Sequence, residues 1–272
     1  MVRATRTSRP KHDTLKLATF NVNDVVKRLP NVVRWLVDRE PDIVCLQELK
    51  CENVRFPDEA FRDIGYSSVW NGQRTWNGVA ILSKGSEPVL TRTALPGDPD
   101  DVQARYVEAA AKGILVASIY LPNGNPAPGP KFDYKIQWFE RLIGHATTLQ
   151  REGVPVVLAG DFNVVPTDAD IYPTTSFDGN ALLRPESREA FSRVLGGGWT
   201  DAIRFLHPSE PMFTFWSYLR NRWARDAGLR LDHLLLNDII RPRLMEAGVD
   251  RNVRGETAAS DHAPAWIILR RE

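Results

Sequence analysis

Apolar residues follow two rhythms along this chain. Short apolar runs, some alternating with polar residues, are interleaved with stretches in which apolar positions recur every three or four residues. The runs at residues 15–22, 42–46 and 154–160 read as strands, the last two as buried ones. Residues 65–70 with 79–83, and 106–110 with 114–121, read as two strand pairs. Residues 30–40 carry the helical spacing, with Pro30 near the start and Val33, Leu36 and Val37 on one face, and residues 132–151 read as a longer helix. The second half repeats the grammar with a helix at 188–195 and strands at 212–217, 229–236 and 263–269. Many strands and few amphipathic helices, with no internal repeat and no low-complexity linker, predict packed sheets covered by helices.

Composition sharpens this. A chain of 272 residues with 43% hydrophobic positions can bury a sizeable core as one α/β domain, here residues 14–272. Residues 1–13 carry Arg3, Arg6, Arg9, Pro10 and Lys11 with almost nothing to bury, and are expected to form a flexible basic tail. The formal net charge is only +1, so affinity for a polyanion has to come from a local patch. Cys45 sits inside an apolar run, out of reach of an obvious partner, which fits a reduced, cytoplasmic protein. No stretch approaches the roughly 20 apolar residues that span a bilayer, and Met1-Val2-Arg3 leads into no secretory segment.

The candidate chemistry lies at the strand ends. Apolar runs lead directly into polar side chains at Phe20-Asn21-Val22-Asn23, Leu46-Gln47-Glu48, Gly160-Asp161-Phe162-Asn163, Leu231-Asp232-His233 and Ser260-Asp261-His262. Singly, these are a turn after a strand, a capped turn or a solvated loop carboxylate; together they read as one site. A hard cation such as Mg²⁺ prefers carboxylate and amide oxygens, which suits Glu48, Asp161, Asn163 and Asp261 with Asn21 or Asn23 nearby. Paired cysteines and His-x-x-x-His spacing are absent, which argues against zinc. Between Phe213 and Arg230 the chain interleaves aromatic residues with arginines, a pattern that offers stacking surfaces and phosphate contacts in one stretch.

In order and in neighbours, these segments resemble the exonuclease III/AP endonuclease family of the endonuclease/exonuclease/phosphatase group. Trp76-Asn77-Gly78-Val79, Tyr120-Leu121-Pro122-Asn123-Gly124, Phe213-Thr214-Phe215-Trp216, Gly228-Leu229-Arg230-Leu231-Asp232 and Ser260-Asp261-His262-Ala263-Pro264 belong to the same match, which covers nearly everything after the tail. The resemblance implies an α/β fold, a four-layer α/β/β/α sandwich of two packed mixed sheets flanked by helices. It implies a Mg²⁺-dependent DNA-repair phosphodiesterase, with Mn²⁺ as a substitute, that cleaves 5′ to abasic sites and removes nucleotides or blocking groups from 3′ ends. Glu48 would bind the metal, with Asn21, Asn23, Asp161, Asn163 and Asp261 as direct or water-mediated ligands. Asp161 would activate water, Asn163 would orient that water or the phosphate, and Tyr120 would bond a phosphate oxygen or assist the leaving group. His262, oriented by Asp232, would stabilise the charged phosphorus centre. Double-stranded DNA would meet a monomer through Asn123 and Arg230, with Phe215, Trp216 and Leu231 walling a pocket for an extruded abasic sugar. Such an enzyme would act in the cytoplasm at the nucleoid, and the tail would be solvated or a DNA-tethering arm.

Departures from the family text are local. An uncharged loop, Gly124-Asn125-Pro126-Ala127-Pro128-Gly129-Pro130, stands where some members carry a basic residue, Leu229 stands where some have tryptophan, and Leu49 stands where threonine is common. Two other classes share the ground: a deoxyribonuclease I-like nuclease or lipid/inositol phosphatase of the same fold, and a non-catalytic DNA-binding module. The aromatic and arginine pattern at 213–232 separates the former, and retention of Glu48, Asp161, Asn163 and His262 separates the latter.

Overall fold

Alternation along each strand decides which way its side chains face, and in the central strands both faces are apolar. The computed structural model describes residues 13–174 and 179–272, so nearly all of the expected tail lies outside the described residues. One sheet runs in the order β11 (Leu244–Val249), β12 (Ala265–Arg270), β1 (Thr14–Asn21), β2 (Ile43–Gln47), β4 (Val79–Lys84), β3 (Tyr66–Asn71). The other runs β5 (Val89–Arg92), β6 (Tyr106–Ala111), β7 (Ile114–Tyr120), β8 (Val156–Asp161), β10 (Asp232–Leu236), β9 (Thr200–Asp201). β1 and β2 are parallel, as are β7 and β8; the remaining pairs are antiparallel, so both sheets are mixed.

Leu15 and Leu17 of β1, Ile43 and Cys45 of β2, Val116 of β7, Val157 and Ala159 of β8 and Leu234 of β10 meet in one core between the sheets. Their neighbours face outward. Ala18, Phe20, Val44 and Leu46 pack with Val32, Trp35 and Leu36 of α1 (Leu29–Arg39) and Phe61 of α2 (Asp58–Arg62). Ala117, Ile119 and Leu158 pack with Trp138, Phe139 and Leu142 of α3 (Pro130–Arg151) and Phe191 of α4 (Pro185–Gly196). A short α5 (Ala202–Leu206) completes the set, and Ala202 and Ile203 enter the core between the sheets. This is the expected four-layer sandwich. Proline opens each of the three longer helices, where its missing N–H costs nothing.

Several local expectations shift. The buried stripe of α1 is Asn31, Val32, Trp35 and Leu36, while Val37 is exposed, because the adjacent apolar pairs Val32-Val33 and Leu36-Val37 left the phase of the stripe ambiguous. Residues 212–217 form no continuous strand. The N–H groups of Thr214 and Phe215 donate to Leu229 O, whereas Trp216 N–H donates to Asp261 O and Thr214 O accepts from Ala263, so this segment stitches two loops together. β10 starts only at Asp232. β5 and β11 carry no clear alternation, and the apolar pattern predicts neither.

Gly160 shows how closely β7 and β8 approach just below the strand ends. A Cβ built there would lie 1.9 Å from Ile119 O. Gly160→Ala should therefore destabilise by at least about 1–3 kcal/mol, read as a lower midpoint in urea with unchanged slope.

Candidate active site

The same alternation that fills the core also aims the polar strand ends. Asn21 continues the inward parity of Leu15 and Leu17, Tyr120 that of Val116, Asp161 that of Val157 and Ala159, and Asp232 that of Leu234. One end of the seam between the sheets is thereby lined with polar groups from both. Beneath them lies a buried polar floor in which Thr19 Oγ1 donates to Gln47 Oε1 (3.1 Å), Gln47 Nε2 donates to Ser118 Oγ (3.0 Å) and Ser118 Oγ donates to Leu46 O (3.1 Å). Glu48 follows β2 in a left-handed conformation (φ 54°), and Asn163 follows β8 likewise (φ 47°).

Asn21 Nδ2 donates to both Glu48 Oε1 (2.9 Å) and Asp161 Oδ2 (3.0 Å), bridging a carboxylate from each sheet. Tyr120 Oη donates to Glu48 Oε1 at 3.0 Å. Asp161 Oδ1 accepts from Asn163 N–H at 2.9 Å, and Asn163 Nδ2 donates to Leu121 O at 2.9 Å. His262 Nδ1 lies 2.7 Å from Asp232 Oδ2, and its Nε2 lies 3.8 Å from Asp161 Oδ2. Asn123 Nδ2 donates to Asn163 Oδ1 at 2.9 Å, so this residue joins the cluster too.

Electrostatics separate these groups. Burial pushes the Asp161 carboxyl up to about 7, His262 opposes that rise, and Asp232 and Glu48 add to it. Burial would also raise Glu48, but Lys50 and Asn21 outweigh it and hold Glu48 below the usual carboxylate range. Burial opposes a charge on His262, yet Asp232, Asp161 and Asp261 lift it to about 10. The imidazole is therefore a cation at neutral pH. Burial raises the Tyr120 phenol, with Glu48 and Asp161 adding to it, so this group stays protonated.

Ligand atoms of Glu48, Asp161 and His262 lie within 4.8 Å of one another, and with the imidazole charged the metal donors of this group are its two carboxylates. The carboxylates and surrounding amides fit a hard divalent cation, in keeping with the chemistry of the donor set. Asn21 turns its amide nitrogen, not its oxygen, to the carboxylates. Asn23 and Asp261 stand further out: Asn23 Nδ2 donates to Asp261 Oδ1 (2.9 Å), and Asn23 Oδ1 accepts from Lys50 Nζ (2.6 Å). Lys50, two residues beyond Glu48, also pairs with Glu48 Oε2 at 2.8 Å, a contact that the strand-end pattern does not reveal.

The expected DNA contacts need correction at three positions. Arg230 is fully buried, with Nη1 2.6 Å from Asp201 Oδ2 and Nε 2.6 Å from Asp170 Oδ1, so it has no face for a phosphate. Trp216 is 1% exposed, donates Nε1–H to Asp226 Oδ1 (3.0 Å) and stands edge-on to Trp223, which makes it packing beneath the surface. Leu231 is buried as well, in a cluster with Val165, Leu182 and Leu229. Phe215 remains half-buried with its ring 4.9 Å from that of His262, directly beside the cluster.

A two-sheet sandwich that holds carboxylates, amides and an aspartate-paired imidazole at one end of its seam defines a class of hydrolytic enzymes. The chain belongs to the Endonuclease/Exonuclease/phosphatase family, whose sequence profile matches residues 18–262. Exodeoxyribonuclease III of Haemophilus influenzae is 30% identical over 94% of this chain and 100% of its own. An AP endonuclease structure from Archaeoglobus fulgidus, 34% identical, covers 94% of this chain and 99% of its own with a TM-score of 0.89. A 3′ phosphatase from Neisseria bound to a product DNA hairpin is 38% identical, covers 94% of this chain and 100% of its own, and has a TM-score of 0.90. Among the described residues no helix is long and apolar enough to cross a membrane.

Proposed function

We propose that this chain is a metal-dependent DNA-repair nuclease that hydrolyses the backbone 5′ to abasic sites and trims blocked or unblocked 3′ ends. The observation that carries this reading is the juxtaposition of Asp161, His262 and Glu48 at the seam, with the Phe215 ring beside them. Relatives over nearly the full length that bear exodeoxyribonuclease, AP endonuclease and DNA 3′ phosphatase names support it against a headgroup phosphatase.

Glu48 and Asp161, with Asn21, Asn23, Asn163 and Asp261 acting directly or through water, would hold Mg²⁺ or Mn²⁺. Bound there, the cation supplies neutralisation of charge on the phosphate oxygens. Asp161 accepts the proton of the attacking water as its oxygen forms the new bond to phosphorus and the bond to the 3′ oxygen breaks. Asn163, fixed by Leu121 O and Asn123, orients that water or the phosphate. The His262 imidazolium, held by Asp232, stabilises the charge that grows on the equatorial oxygens, and the neutral Tyr120 hydroxyl is a donor for a phosphate or leaving oxygen. A monomer acting on duplex DNA suffices for these roles.

Incubation with duplex carrying one abasic analogue, with blunt duplex and with 3′-phosphate ends should give products in Mg²⁺ and none in chelator. Absence of DNA cleavage in both would overturn the reading. Phe215→Ala should slow abasic incision by on the order of 1–3 kcal/mol, roughly 5- to 160-fold, and narrow the rate ratio between abasic and undamaged duplex. An unchanged ratio in a folded variant would remove Phe215 from the pocket.

A further inference from the structure

α3 buries a lysine that its apolar face does not explain. Lys135 lies on the face that presents Phe132, Trp138, Phe139 and Leu142, and it is 0% exposed. Its Nζ donates to two backbone carbonyls, Asn123 O at 3.2 Å and Asn163 O. These belong to the loop after β7 and the loop after β8, the two segments whose side chains join through Asn123 Nδ2 and Asn163 Oδ1. The loop closes around the stem of the lysine: a Cβ on Gly124 would lie 2.7 Å from Lys135 Cδ and 3.1 Å from Ala181 Cβ.

Sheltering an ammonium among apolar groups with only carbonyl dipoles as acceptors is unfavourable, and an apolar residue would pack this position at lower cost.

We propose that Lys135 is a positioning residue for phosphodiester cleavage: it ties the Asn123 and Asn163 loops together from behind and so fixes the Asn163 amide against Asp161. Lys135 touches no reacting atom; it acts through Asn163. This inference rests on the nuclease reading, which the wild-type protein tests separately. If wild type cuts no abasic duplex, that reading fails; if wild type cuts and the variants below behave like it, this inference alone fails.

The experiment measures single-turnover cleavage of an abasic duplex at saturating enzyme, with DNA affinity by anisotropy in Ca²⁺, for Lys135→Met, Asn163→Ala and the double variant. Lys135→Met should slow cleavage by roughly 10²-fold with DNA affinity unchanged, the penalty of a misplaced group rather than of lost binding. The double variant should be no slower than Asn163→Ala, because a positioner has nothing left to position. A merely structural lysine would lower the melting temperature while leaving the rate per folded molecule intact, or its loss would multiply with that of Asn163→Ala; either result overturns the proposal. Should Lys135→Met not fold, Gly124→Ala pushes on the lysine stem from the loop side and takes its place in the same cycle. A folded Gly124→Ala that cleaves at the wild-type rate would count against the proposal, and a slower one whose effect vanishes in the Asn163→Ala background would support it.

Discussion

Asp161→Asn should lower the cleavage rate by roughly 10²–10⁴-fold while leaving the fold and DNA affinity close to wild type. The substitution keeps volume and shape in a position that is 1% exposed, so packing changes little. One amide oxygen can still accept from Asn163 N–H, as Asp161 Oδ1 does at 2.9 Å. The other side is less forgiving: Asn21 Nδ2 donates to Asp161 Oδ2 at 3.0 Å, and an amide NH₂ there would confront another donor. The proton acceptor is lost outright. So is one of the three aspartates that hold His262 up at about 10. The check is a single-turnover assay on abasic duplex beside an anisotropy titration with the same DNA. A variant that keeps more than about a tenth of the wild-type rate would move the general-base role to another group.

Arg230→Met should be the most damaging single change outside the site, costing about 3–5 kcal/mol of stability. Arg230 is the shared partner of Asp170 and Asp201, and Arg204 adds a second cation on Asp170. Burial raises the Asp170 and Asp201 carboxyls, but the Arg230 charge and its hydrogen bonds outweigh that and hold both below the usual range, with Thr167 and Arg204 helping at Asp170 and His233 at Asp201. Groups with depressed folded-state values contribute stability that is present above the unfolded value, about 3.9 for aspartate, and is lost as the pH falls through the folded values. The gap between wild type and Arg230→Met should accordingly be widest near neutrality and shrink in acid, where the variant's carboxylates are already neutral. Urea melts at several pH values measure it; a gap independent of pH would mean that the arginine contributes by packing alone.

Most of the fold was legible because its strands are short apolar runs with a sharp polar end. That polar end also revealed the site: Asn21 and Asp161 close runs whose inward parity, once the core is known, aims them at the seam, while Glu48 joins them through the left-handed turn after β2 and His262 from the segment before β12. What the pattern could not supply was the surroundings of a charge. Arg230, between Leu229 and Leu231 and following an arginine-rich loop, reads as a DNA contact, and only tertiary packing brings Asp170 and Asp201 to it. Trp216 suffers the reverse error, since an aromatic beside Phe215 looks like a second pocket wall until Asp226, Trp223 and Arg254 close over it. Lys135 left a fainter signal: a lysine at the helical spacing of Phe132, Trp138 and Phe139 occupies a core position. β5 has four exposed residues and no face to bury, so periodicity had nothing to register.

The placement of β12 bears on biosynthesis. This late strand lies between β11 and β1, pairing along its length with the earliest strand described, and the segment just before it carries Asp261 and His262. On the ribosome, Glu48 and Asp161 emerge long before the imidazole that faces Asp161 and before the strand that covers the open flank of β1. A nascent chain with both carboxylates exposed therefore still lacks the imidazole that faces Asp161 and keeps an unpaired edge on its first sheet. The side chains of the site are completed as that sheet closes, so a translation product stalled before residue 262 lacks the imidazole and leaves a strand edge open to aggregation.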